Sequence, residues 1–428
     1  MKIKQDIAEL LEKGVINRET AEAIAEYYDK KAHLKTNNSS LLVTSFAIIG
    51  SLLVGLGIIL IVAHNWDQLS KFTKNILSLL PIIIAQALCG YSLLKKDHPA
   101  WREASSILLF FGIGASISLI SQVYNIIGDL DIFVLMWMLL ALPIVYVMKS
   151  SSVSLFYILG VTYYASLSGM YGYSSNPPYL YFPLILGIAP HYYQLYKSNP
   201  KGNYLYFHNG ILPISFLIIV ASFSSRNEFI LMPLYFNILT LYYFIGVSKH
   251  ADKMRLNGFK NLGQLGLVFM LLFFSFKFFW ESLLFYSFDI EKLFSTLGVY
   301  LVLAAFVANL IALLRKGSLL EVIKKEVFLT AFVWLTFIFI IGLYSPISFL
   351  LMNALAFTIG LIKVREGSKS EDLAELNFGL IILSVLIISR FFEADISFFL
   401  KGILFIAVGI GFFLANYFTL KRRKGHEQ

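Results

Sequence analysis

From Leu41 onward the chain alternates long apolar runs with short polar connections. Most runs hold about 17–23 residues, the length a helix needs to cross about 30 Å of hydrocarbon. They fall at Leu41–Ala63, Asn75–Leu94, Ala104–Tyr124, Ile132–Met148, Ser152–Tyr171, Tyr179–Tyr196 and Tyr204–Phe223. Seven more follow at Phe229–Val247, Asn261–Trp280, Leu293–Leu314, Val327–Tyr344, Pro346–Val364, Glu375–Ser389 and Phe399–Phe418, giving fourteen predicted spans. The first run follows a charged segment and lacks a small-residue cleavage site, so it reads as a retained span and not a signal peptide.

Residues 1–40 have soluble character and predict two short helices. Ile7, Leu10 and Leu11 form one apolar stripe, ended by Gly14 after Lys13. Asn17 offers an N-cap for a second helix whose apolar face is Ala21, Ile24, Ala25 and Tyr28. A cytoplasmic helical hairpin at the membrane surface is expected, serving as a tether or as a docking module for a partner. The domain plan is therefore 1–40 hairpin, 41–150 four-span membrane domain, 151–420 ten-span membrane domain and 421–428 basic cytoplasmic tail.

Composition supports the pattern. Of 428 residues 58% are apolar and 14% charged, with mean hydropathy +0.73; a soluble chain has about 45–50% apolar and 25% charged residues. The fold class is thus all-α, a polytopic integral membrane protein. A net charge of +9 would suggest nucleic acid in a soluble protein. Here the charge has a different origin, because 28 of the 35 Lys and Arg residues fall in segments that the fourteen-span plan puts inside. That four-to-one bias follows the positive-inside rule and predicts both termini cytoplasmic, in the cell (plasma or inner) membrane, with no nucleic-acid partner. Anionic lipids at the cytoplasmic face are the expected partners of these charges. Lys277 is the one basic residue read as lying appreciably inside a span, where it would snorkel.

The single cysteine, Cys89, excludes an intramolecular disulfide framework and a cysteine metal cluster. No P-loop, G-x-G-x-x-G, H-E-x-x-H, G-x-S-x-G or C-x-x-C motif is present, so no catalytic residue, metal or cofactor is assigned.

The first span ends in Val62-Ala63-His64-Asn65-Trp66-Asp67. The third ends in Ile120-Ser121-Gln122-Val123-Tyr124-Asn125, followed by Gly128-Asp129-Leu130-Asp131 and the run Trp137 to Pro143 with Lys149 beyond it. With Leu11-Glu12-Lys13-Gly14-Val15-Ile16 upstream, roughly the first 150 residues resemble a family of prokaryotic membrane proteins, domain of unknown function 2157. The resemblance implies a multi-span membrane protein of bacterial type and brings no activity with it.

On this topology His64, Asn65, Trp66 and Asp67 share the outer face with Asn125, Asp129 and Asp131. Together they would suit a hard cation or a proton, although an interfacial Trp66 and capping aspartates account for the same residues. Gln86, Asn237, Asn309, Asn353 and Asn377 lie within spans, so they should pair between helices or line a cavity. His191 and His208 flank a short loop in a tyrosine-rich stretch and suit interfacial hydrogen bonding better than a metal. The small-residue pairs Ser51/Gly55, Gly114/Ser118 and Gly411/Ala415 place the first, third and fourteenth spans at the centre. Prolines 81, 143, 183, 190, 213 and 233 permit kinks beside a cavity.

Transport or flipping of a small or amphiphilic molecule through a cavity lined by Gln86, Asn237, Asn353, His191 or His208 is the leading expectation. A scaffold or sensor signalling through the hairpin, and an enzyme or cation site at the outer loops, are the alternatives.

Overall fold

The computed structural model describes residues 69–95, 98–169, 178–221, 228–248, 257–284, 297–316 and 326–393 continuously, with separate positions among residues 17–24, 43–60 and 399–413. Most of the predicted hairpin, the His64–Asp67 segment and the basic tail lie outside the described residues; within the hairpin Asn17 accepts the Thr20 N–H at 2.8 Å, the capping bond expected of it. All regular structure among the described residues is helical. Two compact units result: residues 1–164 with 180–191, and residues 165–179 with 192–428.

The first unit holds α1 (Ser45–Val54), α2 (Lys71–Leu94), α3 (Pro99–Val123), α4 (Leu130–Val147), the greater part of α5 (Ser151–Gly169) and the short α6 (Tyr181–Leu186). Ser70 caps α2 by accepting the Thr73 N–H, and His98 caps α3 ahead of Pro99, whose missing N–H costs nothing at a helix start. α3 packs along α2, with Gly112 set against the Pro81 carbonyl and the Cys89 thiol donating to the Ser105 carbonyl at 3.3 Å. On its other side, Trp137 from α4 lies against Gly114. A Cβ at Gly114 would come within 2.6 Å of the indole, and the indole N–H donates to the Phe110 carbonyl at 2.7 Å.

The central position expected of the third span holds. Of its most apolar stretch 61% is buried, against 17–39% for the other candidate spans. The described positions of the first and fourteenth spans are exposed or half-buried, while Gly55 and Ala415 of the expected pairs lie outside the described residues. Gly50, Gly57, Gly409 and Gly411 meet nothing where a Cβ would stand, so these glycines do not mark helix contacts.

The second unit holds α8 (Asn203–Val220), α9 (Glu228–Gly246), α10 (Gly258–Phe273), α11 (Lys277–Leu284), α12 (Leu297–Leu314), a 3-10 turn at Val327–Thr330, α13 (Ala331–Gly342), α14 (Ser348–Ser370) and α15 (Leu373–Glu393). Its core centres on Phe236, Phe274, Trp280, Phe328 and Phe332. α14 and α15 form a hairpin that turns at Glu371, in the left-handed region with φ 57°, and Asp372 accepts the Ala374 N–H to start α15. Gly360, Gly367 and Gly379 let these two backbones meet, since a Cβ on Gly367 would come within 2.2 Å of the Leu376 nitrogen.

Among the described residues, seven helices are long and apolar enough to cross a membrane, or eight if α10 and α11 form one broken span. Two expected spans are interrupted. Tyr179–Tyr196 divides into α6 and α7 (Ala189–Ser198) at Gly187-Ile188, where Pro190 removes a backbone donor from the first turn of α7. Asn261–Trp280 breaks at Phe274–Phe276, and α11 leaves α10 at 73°. On α11, Lys277 and Glu281, paired at 2.8 Å, stay half-exposed while Phe279, Trp280 and Leu283 are buried.

Candidate functional site

The residues singled out in the third span and the loop after it meet in one open cleft at the α3–α4 connection. Its volume is about 690 Å³, within the range of about 300–1,000 Å³ typical of small-molecule sites. Asn125 takes a left-handed φ of 50°, which an Asn tolerates and which ends α3 sharply. Asp129 stands at the N-cap position of α4, but its side chain makes no capping bond. The lining mixes polar Ser118, Ser121, Gln122, Asn125 and Asp129 with apolar Ile117, Ile126, Ile127, Phe133 and Met136. Asp131 is outside this lining; its carboxylate accepts the Ile132 N–H at 2.8 Å. A lining of one carboxylate, several neutral donors and acceptors, and hydrocarbon matches an amphiphile better than a bare ion. Among the described residues, no three His, Cys, Asp or Glu side chains converge on a metal position.

A second cleft, of about 740 Å³, lies at the opposite end of α3 between α1, the C-terminal turns of α2 and the start of α3. Its walls are almost wholly apolar, and His98 and Trp101 belong to its lining.

The expected interior cavity residues are otherwise engaged. Asn237 is fully buried and donates to the Pro233 carbonyl at 2.7 Å, while Asn309 donates to the Asn237 backbone carbonyl at 2.9 Å and to its side-chain oxygen at 3.2 Å. This ties α9 to α12 in the manner of polar pairs between membrane helices. Asn353 donates to the Ser275 carbonyl at 2.8 Å, so it serves the broken helix rather than a cavity. The break is held from all sides: Trp280 Nε1 donates to the Phe274 carbonyl at 2.7 Å, Arg390 to Ser275 Oγ at 3.2 Å, and the Lys277 N–H to Glu393 at 2.9 Å. Backbone groups freed at the kink are thereby satisfied, as a low-dielectric setting requires. Gln86 is an exposed position on α2.

His191 and His208 are both buried, each within its own unit. His191 Nε2 lies 3.2 Å from Ser151 Oγ, and His208 Nδ1 donates to the Tyr204 carbonyl at 2.7 Å. Neither faces a carboxylate cluster.

Two buried ionic sites escaped the sequence reading. Glu103, only 7% exposed, accepts from Ser150 Oγ at 2.5 Å, the Ser151 N–H at 2.9 Å and the Ser152 N–H at 3.0 Å. A carboxylate is thus docked on the N-terminus of α5, where the helix dipole favours it. The run Lys149-Ser150-Ser151-Ser152 was the available signal, but its partner is 47 residues away. Lys363, counted with an inner loop, is 3% exposed because α14 continues past the end of the apolar run. Its ammonium lies 3.0 Å from Glu366 and 3.3 Å from Glu375, while the Tyr243 hydroxyl donates to Glu326 nearby. Among the described residues Lys363 is thus a buried lysine, whereas Lys277 is half-exposed.

No curated protein and no solved structure matches the chain. Residues 8–154, the amino-terminal third that carries the α3–α4 cleft, match the family described as Predicted membrane protein (DUF2157).

Proposed function

We propose that this multi-pass membrane protein carries or flips a small amphiphilic molecule, and that the first unit receives the polar part of that molecule. The observation supporting this reading is the α3–α4 cleft, whose lining combines Gln122, Asn125 and Asp129 with Ile117, Phe133 and Met136. The packed asparagine networks of the second unit argue against a passage lined by Asn237 and Asn353. The threading is proposed as fourteen spans with both termini in the cytoplasm of a bacterial-type cell membrane, resting on the placement of lysine and arginine.

Reconstitution into vesicles carrying a fluorescent phospholipid tests the activity. Loss of outer-leaflet fluorescence to a membrane-impermeant quencher beyond one half is the expected result, together with its suppression by Asp129→Asn and Gln122→Leu. Vesicles no more permeable to lipid exchange than protein-free ones would overturn the flipping reading for that lipid class. Equal activity in both variants would remove the cleft from it.

A further inference from the structure

The second cleft has features that the proposed activity does not use. Val43, Ala47, Gly50, Leu88, Ala104 and Leu108 make its apolar wall, and these residues come from α1 or its approach and from two candidate membrane spans. A groove of this kind inside a bilayer is entered by hydrocarbon, because water gains nothing from an apolar lining. Gly50 matters most: no heavy atom lies within 4 Å of where its Cβ would be, so the absent side chain leaves space rather than a helix contact.

The end of the groove that includes His98 and Trp101 has a different chemistry. His98 accepts the Ala100 N–H through Nδ1 at 3.3 Å, which fixes the neutral ring's proton on Nε2 and leaves an N–H donor on an exposed side chain. His98 is also the N-cap of α3, where the helix dipole favours negative charge. The connection from Lys95 to Arg102 carries three basic residues against the single Asp97. Trp101, part-exposed, is the amphipathic ring suited to headgroup depth. Hydrocarbon wall, ring donor, helix start and basic surplus therefore coincide at one end of one groove.

We propose that this groove binds one anionic phospholipid, with an acyl chain along Ala47, Gly50 and Leu108 and the phosphate at the His98 Nε2–H and the start of α3. The lipid is a bound component at a site separate from the α3–α4 cleft, so it stands whether or not the protein flips lipid.

The test uses the full-length protein purified in detergent and titrated with phosphatidylglycerol or with phosphatidylcholine of identical acyl chains, read by thermal stability and by lipid retention in native mass spectrometry. Phosphatidylglycerol is expected to be retained and to stabilise the protein at lower concentration than phosphatidylcholine. His98→Ala should lower that apparent affinity about tenfold, the equivalent of about 1.4 kcal/mol for one hydrogen bond to a charged group. Gly50→Phe sets its Cβ in open space and its ring in the groove, so it should abolish retention while leaving lipid-free melting unchanged; Ala47→Phe narrows the same wall from a neighbouring turn. Equal retention of the two lipids by the wild-type protein overturns the headgroup assignment. Undiminished retention by a folded Gly50→Phe or Ala47→Phe protein overturns the site. If both variants fail to fold, the wild-type comparison of the two lipids alone decides it.

Discussion

Replacing Glu103 probes the most concentrated polar contact in the first unit. As a carboxylate it accepts three hydrogen bonds, two of them from the backbone N–H groups of Ser151 and Ser152, and Glu103→Ala removes the acceptor that all three share. Hydrogen bonds to a charged group contribute about 1.5–3 kcal/mol each, and an orphaned buried donor costs about 1–3 kcal/mol. Burying the charge itself costs several kcal/mol, so the terms partly cancel, and losses on breaking buried ionic contacts run at about 3–5 kcal/mol. Glu103→Ala is therefore expected to lose about 3–5 kcal/mol. Glu103→Gln keeps one acceptor but turns an NH₂ toward a donor, so a loss of about 1–3 kcal/mol is expected. Ser150→Ala removes one bond of the three and should cost about 1–2 kcal/mol. Unfolding in mixed micelles, titrated with a denaturing detergent and followed by tryptophan fluorescence, measures all three. A Glu103→Ala protein within about 0.5 kcal/mol of wild type, the usual scatter for a surface substitution, would refute the reasoning. So would a Ser150→Ala loss as large as that of Glu103→Ala.

Other expectations follow from single contacts. Gly342→Ala puts a Cβ within 2.0 Å of the Trp280 ring, so it should destabilise by about 1–3 kcal/mol in the same unfolding assay. Arg390→Ala removes the donor to Ser275 Oγ, which keeps its own bond to the Leu272 carbonyl, and the ion-pair partner of Glu393 at the helix break, and should speed hydrogen exchange of amides 274–278 more than those of α14. Asn309→Leu should cost only about 0.5–2 kcal/mol, as expected for a polar contact between membrane helices; a larger loss would mean that the pair organises more than α9 and α12. Reporter fusions at the two ends should place both in the cytoplasm, and ends on opposite sides would remove the even span count.

The long apolar helices were legible because hydrophobic length alone determines them: α2, α3 and α4 begin and end within a few residues of the runs Asn75–Leu94, Ala104–Tyr124 and Ile132–Met148. Interruptions were not legible. Phe274 to Phe276 is as apolar as its surroundings, and its helix breaks where Asn353, Arg390 and Glu393, all distant in sequence, supply partners for the freed backbone groups. The cleft residues were found as a local motif, since Asn125 and Asp129 sit on one connection. The roles of Glu103 and Lys363 were hidden because each is set by packing against other segments. Asn237 and Asn353 were read correctly as inward-facing, and their hydrogen bonds selected the structural outcome over the cavity one.

The matched family segment stops at residue 154, whereas the unit it belongs to is completed only at His191. The returning stretch 180–191 supplies the Leu184 carbonyl that accepts the Tyr157 hydroxyl at 3.1 Å, the Gly187 carbonyl bonded by Tyr146, and the imidazole beside Ser151. A gene fragment cut at the homology boundary would therefore express an unfinished body that lacks Tyr157 and strands the Tyr146 hydroxyl and Ser151 Oγ. Excision of a self-sufficient amino-terminal piece requires carrying the chain through its detour and back, to at least His191.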